Sequence, residues 1–419
     1  MLRRVPWKQS REAVVLGSGI QGCCTALALS RAGWRVSMLD RTPQAWSATS
    51  LRGEGKLHLG YVYANEPDRR TAATMLDGAF SFSGLLDRWT DGCIDWAAMR
   101  STPFLYGVLP ETMVDVSDLS EHYSWVDGEV ARRLSAGETY AGLSSLHPVE
   151  SLTDHRSHGL SDRVSAAFLT DEVAIYPRRL RVHVLEALER NGVQFIGSAT
   201  VTGVERRPEG MEVTCVPTPG TPAEGQPAFT IRRADLVVNC LWEGRLRVDD
   251  SFGIDTTRPC SYRLKFGLHG AIDARTTDVL HSTTFVLGPF GDIVRFPGDR
   301  VYLSWYPDCM TDSRIGSGIP AAWYSPIAGK AGAAEQERLS AASLRALSGL
   351  APAVAGVQID EVAAGVVVAW GSTDIDDHQS ELHRRHEIGV HDHDGYLSID
   401  TGKFTMAPNF ADLAVRATE

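Results

Sequence analysis

Residues 12–40, E-A-V-V-L-G-S-G-I-Q-G-C-C-T-A-L-A-L-S-R-A-G-W-R-V-S-M-L-D, leave the chain little freedom of fold. Ala13 to Leu16 form a short apolar run, and Ile20 to Arg31 are rich in Ala and Leu. Gly33 stops that helix before a second strand at Arg35 to Leu39. Gly17, Gly19 and Gly22 supply G-x-G-x-x-G between strand and helix. The first glycine permits the tight turn, the second lets backbone approach a pyrophosphate, and the third lets helix pack on strand. The helix start offers free N–H groups to phosphate. Asp40 ends the second strand, where an acid can accept hydrogen bonds from ribose hydroxyls. Strand, glycines, helix, strand and acid in register predict a dinucleotide unit. G-S-G-I-P at Gly316 to Pro320 is the other near match and fails, because no strand precedes it and Pro320 interrupts the helix start. One dinucleotide module is therefore expected, and the motif alone leaves NAD and FAD open.

The chain is 419 residues long, enough for two domains or one two-lobed unit. A second strand–helix–strand register follows at Pro177 to Asn191 and V-Q-F-I. The segments T-V-T-G-V-E-R-R and M-E-V-T-C-V predict a hairpin, and Ala234 to Cys240 a buried strand. Arg69 to Thr90 carries Met75, Ala79, Phe82, Leu86 and Trp89 at helical spacing. From Ser261 to Tyr306 alternating runs separated by glycines predict antiparallel strands, and Glu335 to Leu350 a helix. The expected fold class is α/β: a discontinuous Rossmann-like cofactor domain (residues 11–90, 148–245 and 360–419) with an inserted substrate domain (91–147 and 246–359) built on a mainly antiparallel sheet plus helices.

The net charge of -11 argues against a nucleic-acid partner. Seven scattered cysteines (23, 24, 93, 215, 240, 260 and 309) show no metal-ligand spacing and favour a reducing cytoplasm over a disulfide framework. The opening M-L-R-R-V-P-W-K lacks the apolar core of a signal sequence, and no apolar run reaches membrane-spanning length. H-D-H-D at His391 to Asp394, near His378, His383 and His386, has a metal-like composition, but its spacing predicts a solvated loop joining two strands. No metal site is expected.

Four segments, residues 12–64, 172–205, 234–245 and 361–415, resemble the D-amino-acid-oxidase-like superfamily of FAD enzymes. Its members include glycine oxidase, L-2-hydroxyglutarate oxidase and flavin-linked glycerol-3-phosphate dehydrogenase. A-T-S at Ala48 to Ser50, then G-K-L-H-L-G-Y-V-Y, resembles the stretch running from pyrophosphate to flavin ring, with His58, Gly60 and Tyr63 at matching positions. G-Y-L-S-I-D-T-G-K-F-T-M-A-P, Gly395 to Pro408, resembles the closing strand and glycine turn. There amides and Lys403 would stabilise negative charge on the reduced flavin. The resemblance implies FAD held by Gly17, Gly19, Ile20, Gly22, Asp40, Arg41, Thr49, Ser50, Lys56, Leu57, Val201, Cys240, Gly402, Lys403, Phe404, Thr405 and Met406.

Departures narrow the substrate. Val62 and Val367 stand where the phosphate-binding members carry arginines, so glycerol-3-phosphate is not expected. Arg385 matches a second arginine of those members and could grip a carboxylate or another anion, or form a surface salt bridge. C-L-W at Cys240 to Trp242 replaces the usual A-A-G. Tyr302, Trp305 and Tyr306 fall on a predicted strand, as pocket wall or aromatic core. The expected activity takes a hydride from a C–N or C–O bond of a small or medium organic substrate. His58, Lys403, Arg385 and Tyr306 are the candidate catalytic residues, and the electron acceptor is open among oxygen, a quinone or a carrier protein. An NAD(P)-linked dehydrogenase and a non-catalytic FAD protein are the rival readings.

Overall fold

The computed structural model describes residues 11–273 and 279–419; the opening M-L-R-R-V-P-W-K lies outside the described residues. The first strand β1 (Glu12–Leu16), the helix α1 (Ile20–Arg31) and the strand β2 (Arg35–Leu39) form where the sequence places them. Around β1 a six-stranded sheet assembles in the order Gly389–Asp392, Tyr396–Asp400, Leu236–Asn239, β1, β2, Gln194–Ile196. All neighbours run parallel except the antiparallel edge pair Gly389–Asp392 and Tyr396–Asp400.

Both faces of this sheet are covered, which is why its strands read as continuous apolar runs. Ala13, Val15, Val36 and Met38 pack with residues of α1 and the helices Arg70–Thr90, Pro177–Arg190 and Ala407–Arg416. Val14, Leu16, Leu39 and Val237 point the other way, onto Val201, Val204, Val213 and Cys215. Those residues belong to a three-stranded antiparallel sheet, Ala199–Arg207, Gly210–Pro217 and Phe229–Ala234, whose first two strands are the expected hairpin.

The third sheet has nine strands and is antiparallel apart from one parallel junction between Ser282–Val286 and Phe104–Val108. Its centre is the long pair Cys260–Ala271 and Gln358–Trp370. Alternation along the first of these gives two unlike faces. Tyr262, Leu264, Phe266 and Leu268 bury against Leu339 and Leu347 of the helix Ala333–Ser348. The opposite parity, Arg263, Lys265, Gly267 and His269, lies on the other face together with Tyr302, Asp292 and Thr284.

Three expectations change. Glu150–Ser151, Ala166–Leu169 and most of Gln358–Trp370 fall in ranges assigned to the cofactor domain, yet they pair in the nine-stranded sheet. Strand partners are set by register and burial across the fold, which local pattern does not reveal. Tyr306 is not on a strand: Arg300–Trp305 ends before it, and Tyr306 opens the short helix Tyr306–Cys309. His391 and Asp392 belong to the strand Gly389–Asp392, so only the second half of H-D-H-D lies in the turn. Among the described residues no cluster of His, Cys, Asp and Glu could hold a metal ion, and no helix is long and apolar enough to cross a membrane.

Candidate active site

The glycine loop is built for close approach. Gly17 has φ 94°, and a Cβ there would lie 2.6 Å from the Cys240 carbonyl oxygen. A Cβ on Gly22 would lie 1.9 Å from the Gly17 oxygen, so α1 packs on the loop only because that atom is missing. Gly19 faces Ser50 Oγ, which accepts from the Ile20 amide at 3.0 Å. Asp40 stands at the end of β2 and accepts from the Ser18 amide and the Thr42 amide at 2.7 Å each. The adjoining Arg41 pairs with Glu243 at 2.5 Å and lies 4.5 Å over the Tyr324 ring. Thr49 Oγ1 accepts from the Val366 amide at 3.1 Å, linking this region to the nine-stranded sheet. Val201 is buried on the hairpin, paired with Cys215.

The tail turn meets this loop from the other side. Gly402 has φ 61°, and a Cβ there would sit 2.6 Å from the Ile388 side chain. Thr401 Oγ1 donates to Gln21 Oε1 at 3.1 Å, and Gln21 Nε2 donates to the Ala407 oxygen at 3.1 Å, so α1 is tied directly to the turn. Phe404 stacks on Phe82 at 5.7 Å, while Met406 packs where Gly78 leaves room. Thr405 Oγ1 accepts from the His58 amide at 3.0 Å and donates to the Lys56 oxygen at 3.1 Å. The stretch Lys56 to Leu59 is thus held without being a strand of any sheet. Leu57 has both backbone groups engaged, its amide by Val173 O and its oxygen by Tyr140. It therefore has no free amide for a cofactor. The Lys56 ammonium turns away from the loop, to Thr284, to Asp292 at 3.3 Å and to the Phe104 ring face.

Beside the tail turn, His58 Nδ1 and Tyr63 OH are buried without a hydrogen-bond partner, their rings 6.0 Å apart. Burial, reinforced by Lys403, Lys56 and Arg385, pushes the His58 pKa well down and keeps the ring neutral. Burial likewise lowers the Lys403 pKa to about 8, with Arg385, Lys265 and Lys56 adding to the effect and Glu54 opposing it. Arg385 is 6% exposed, and its guanidinium donates to the carbonyls of Leu382, Val368 and Gly402. Among the described residues no carboxylate forms an ion pair with Lys403, Arg385 or Lys265. Tyr306 donates to Asp374 at 2.7 Å, the carboxylate that also pairs with Arg263 at 2.9 Å. Val367 lies opposite Arg263 on the same polar face.

Two groups escaped the sequence reading. Lys265 is one, although the polar–apolar alternation of R-L-K-F-G-L-H already marks one face of that strand as polar. Glu172 is the other: fully buried, it accepts from the Leu59 amide at 2.6 Å and from Tyr106 OH, and burial raises its pKa. Nothing local distinguishes it from a surface acid.

FAD fits these residues. The glycines leave a cradle that any Cβ would fill, the adjoining Ser18 Oγ and Trp46 Nε1 are buried and unpartnered, and Lys403, whose charge would favour a reduced flavin, stands at the tail turn. Glycine oxidase from Geobacillus kaustophilus superposes with a TM-score of 0.68 at 14% identity, covering 97% of this chain and 94% of that one. L-amino acid deaminase from Proteus vulgaris gives 0.63 at 14% identity, covering 98% and 93%. The tRNA 5-methylaminomethyl-2-thiouridine biosynthesis bifunctional protein of Methylibium petroleiphilum is 30% identical over 132 residues, 30% of this chain and 20% of its own length. Its counterpart in Stutzerimonas stutzeri is 25% identical over 205 residues, 49% of this chain, which again spans well under two thirds of the relative, 27%. The family model described as FAD dependent oxidoreductase, DAO, matches residues 12–367, so the chain belongs to that family and is an FAD-dependent oxidoreductase.

Proposed function

We propose that this chain oxidises the C–N bond of a small or medium amine that also bears a carboxylate. The carrying observation is that Lys403 and Arg385 both act on His58, with Lys265 acting in turn on Lys403, and that among the described residues none of the three forms an ion pair with a carboxylate. Arg385 is buried and Lys403 and Lys265 are half-buried; cations drawn out of water without an ion-pair partner are costly, and an anionic substrate group offsets that cost. FAD, when bound, supplies the two-electron acceptor.

In this reading Arg385 and Lys403 hold the substrate carboxylate by charge-assisted hydrogen bonds. Lys403 also lies at the start of the tail turn, where a positive charge favours the reduced cofactor. His58 stays neutral at ordinary pH, so it works as a hydrogen-bond partner and not as a cation. Tyr63 offers a hydroxyl to the same space. Val62 and Val367 leave a phosphate without arginine forks, which supports the choice of carboxylate over glycerol-3-phosphate. The structural neighbours glycine oxidase and L-amino acid deaminase are named for amino acids, which carry both groups the site calls for.

The test is anaerobic mixing of the yellow holoprotein with matched amines, each offered with and without its carboxylate. Bleaching of the flavin by the carboxylate-bearing member alone supports the reading. Equal bleaching by both, or bleaching only by alcohols, overturns it.

A further inference from the structure

The glycine loop has fewer amides to offer than its motif suggests. The Gly17 amide already donates to the Leu39 oxygen at 2.8 Å, the Ser18 amide to Asp40, and the Ile20 amide to Ser50 Oγ. A diphosphate seated at this helix start needs further donors.

Two lie beside it. Ser18 is 1% exposed, and its Oγ has no partner although its oxygen accepts from the Trp46 amide at 2.8 Å. Trp46 is also 1% exposed, and its Nε1–H is unpartnered. Its φ is 53°, a left-handed backbone that a bulky residue adopts only when its surroundings impose it. The hydrogen bond from its amide to the Ser18 oxygen fixes the residue against the loop, and the indole packs edge-on to Phe404 of the tail turn, ring centres 6.3 Å apart. Trp46 thus stands between the two ends of the cofactor site. A buried donor left unbonded is unfavourable in any fold, and two on loops joined by the Trp46 amide's hydrogen bond to the Ser18 oxygen are better explained by an acceptor that arrives with the cofactor.

We propose that Ser18 Oγ and Trp46 Nε1 are side-chain ligands of the FAD diphosphate, making up for loop amides that the chain itself occupies. This rests on the FAD assignment and is independent of the substrate reading.

The experiment titrates apoprotein with FAD and, separately, with ADP, which carries a diphosphate but no flavin. The proteins are wild type, Trp46→Phe, Ser18→Ala and the double variant. Phenylalanine keeps an aromatic ring at the site but removes the indole donor together with the volume of the pyrrole ring. Each single variant should weaken FAD binding about tenfold or more, the size expected for a hydrogen bond to a charged oxygen, and should weaken ADP by a similar factor. The urea midpoint of the Ser18→Ala apoprotein should not fall, because the substitution removes a donor that the apoprotein leaves unsatisfied, whereas Trp46→Phe also loses packed volume and its midpoint serves only to establish that it folds. Unchanged FAD affinity in the folded variants overturns the proposal, as does weakened FAD binding with ADP unaffected. Should Trp46→Phe fail to fold, Ser18→Ala alone decides by the same criteria.

Discussion

Lys403→Met removes the ammonium whose pKa is most usefully displaced. The fall from 10.5 to about 8 comes mainly from burial. At about 1.4 kcal/mol per unit, keeping this lysine charged in the folded apoprotein costs about 3 kcal/mol at neutral pH. The sign follows from proton binding. Below about pH 8 both states are protonated and the full penalty is present; between about 8 and 10.5 the unfolded chain binds the extra proton, so stability rises with pH. Methionine fills similar space without charge. Apoprotein Lys403→Met should therefore be more stable than wild type by about 3 kcal/mol at pH 7, shrinking to about 1 kcal/mol at pH 9.5. Urea unfolding of both apoproteins at the two pH values measures this. With FAD bound, the same change should lower the two-electron midpoint potential by about 30 mV or more, since 30 mV corresponds to about 1.4 kcal/mol for such a couple. A variant less stable at pH 7, or a difference that does not shrink with pH, refutes the reasoning.

Other substitutions probe separate parts of the site. Gly17→Ala places a Cβ 2.6 Å from the Cys240 oxygen at a left-handed position, and the purified protein should be colourless and fail to take up FAD. Glu172→Ala strips partners from the Leu59 amide and Tyr106 OH and should cost about 1–3 kcal/mol per orphaned group by urea unfolding, with Glu172→Gln recovering part of it. Arg385→Lys should raise the KM for a carboxylate-bearing substrate about tenfold or more, through loss of the planar fork, while a substrate lacking the carboxylate is unaffected.

The parallel core was legible because its signals are local. G-S-G-I-Q-G sits between an apolar strand and an Ala- and Leu-rich helix, and each glycine has a steric reason visible in the fold. The tail turn was legible by resemblance, and Thr401, Thr405 and Gln21 supply the contacts that join it to α1 and to His58. Where strands pair by distant partners the reading failed: Gln358–Trp370 looks like part of the closing segment but hydrogen-bonds along Cys260–Ala271. Tyr306 was placed one residue inside a strand that ends at Trp305. Lys265 and Glu172 were missed for a common reason. Their importance comes from what lies opposite them in space, and a single lysine or glutamate in a row carries no mark of that. The replacement C-L-W also gains a physical description. Trp242, at the place of the glycine that the resemblance leads one to expect, holds φ 56°, and its indole donates to the Val366 oxygen at 2.8 Å, so that bond joins the residue to the nine-stranded sheet.

The claim that a carboxylate completes the cation cluster is tested most directly by a spectral titration of the holoprotein with acetate and, in parallel, acetamide. Acetate should perturb the flavin absorption saturably, with weaker binding in Arg385→Lys and Lys403→Met, and acetamide should leave the spectrum unchanged. Equal responses to the two, or acetate binding unaltered in both variants, would contradict the account.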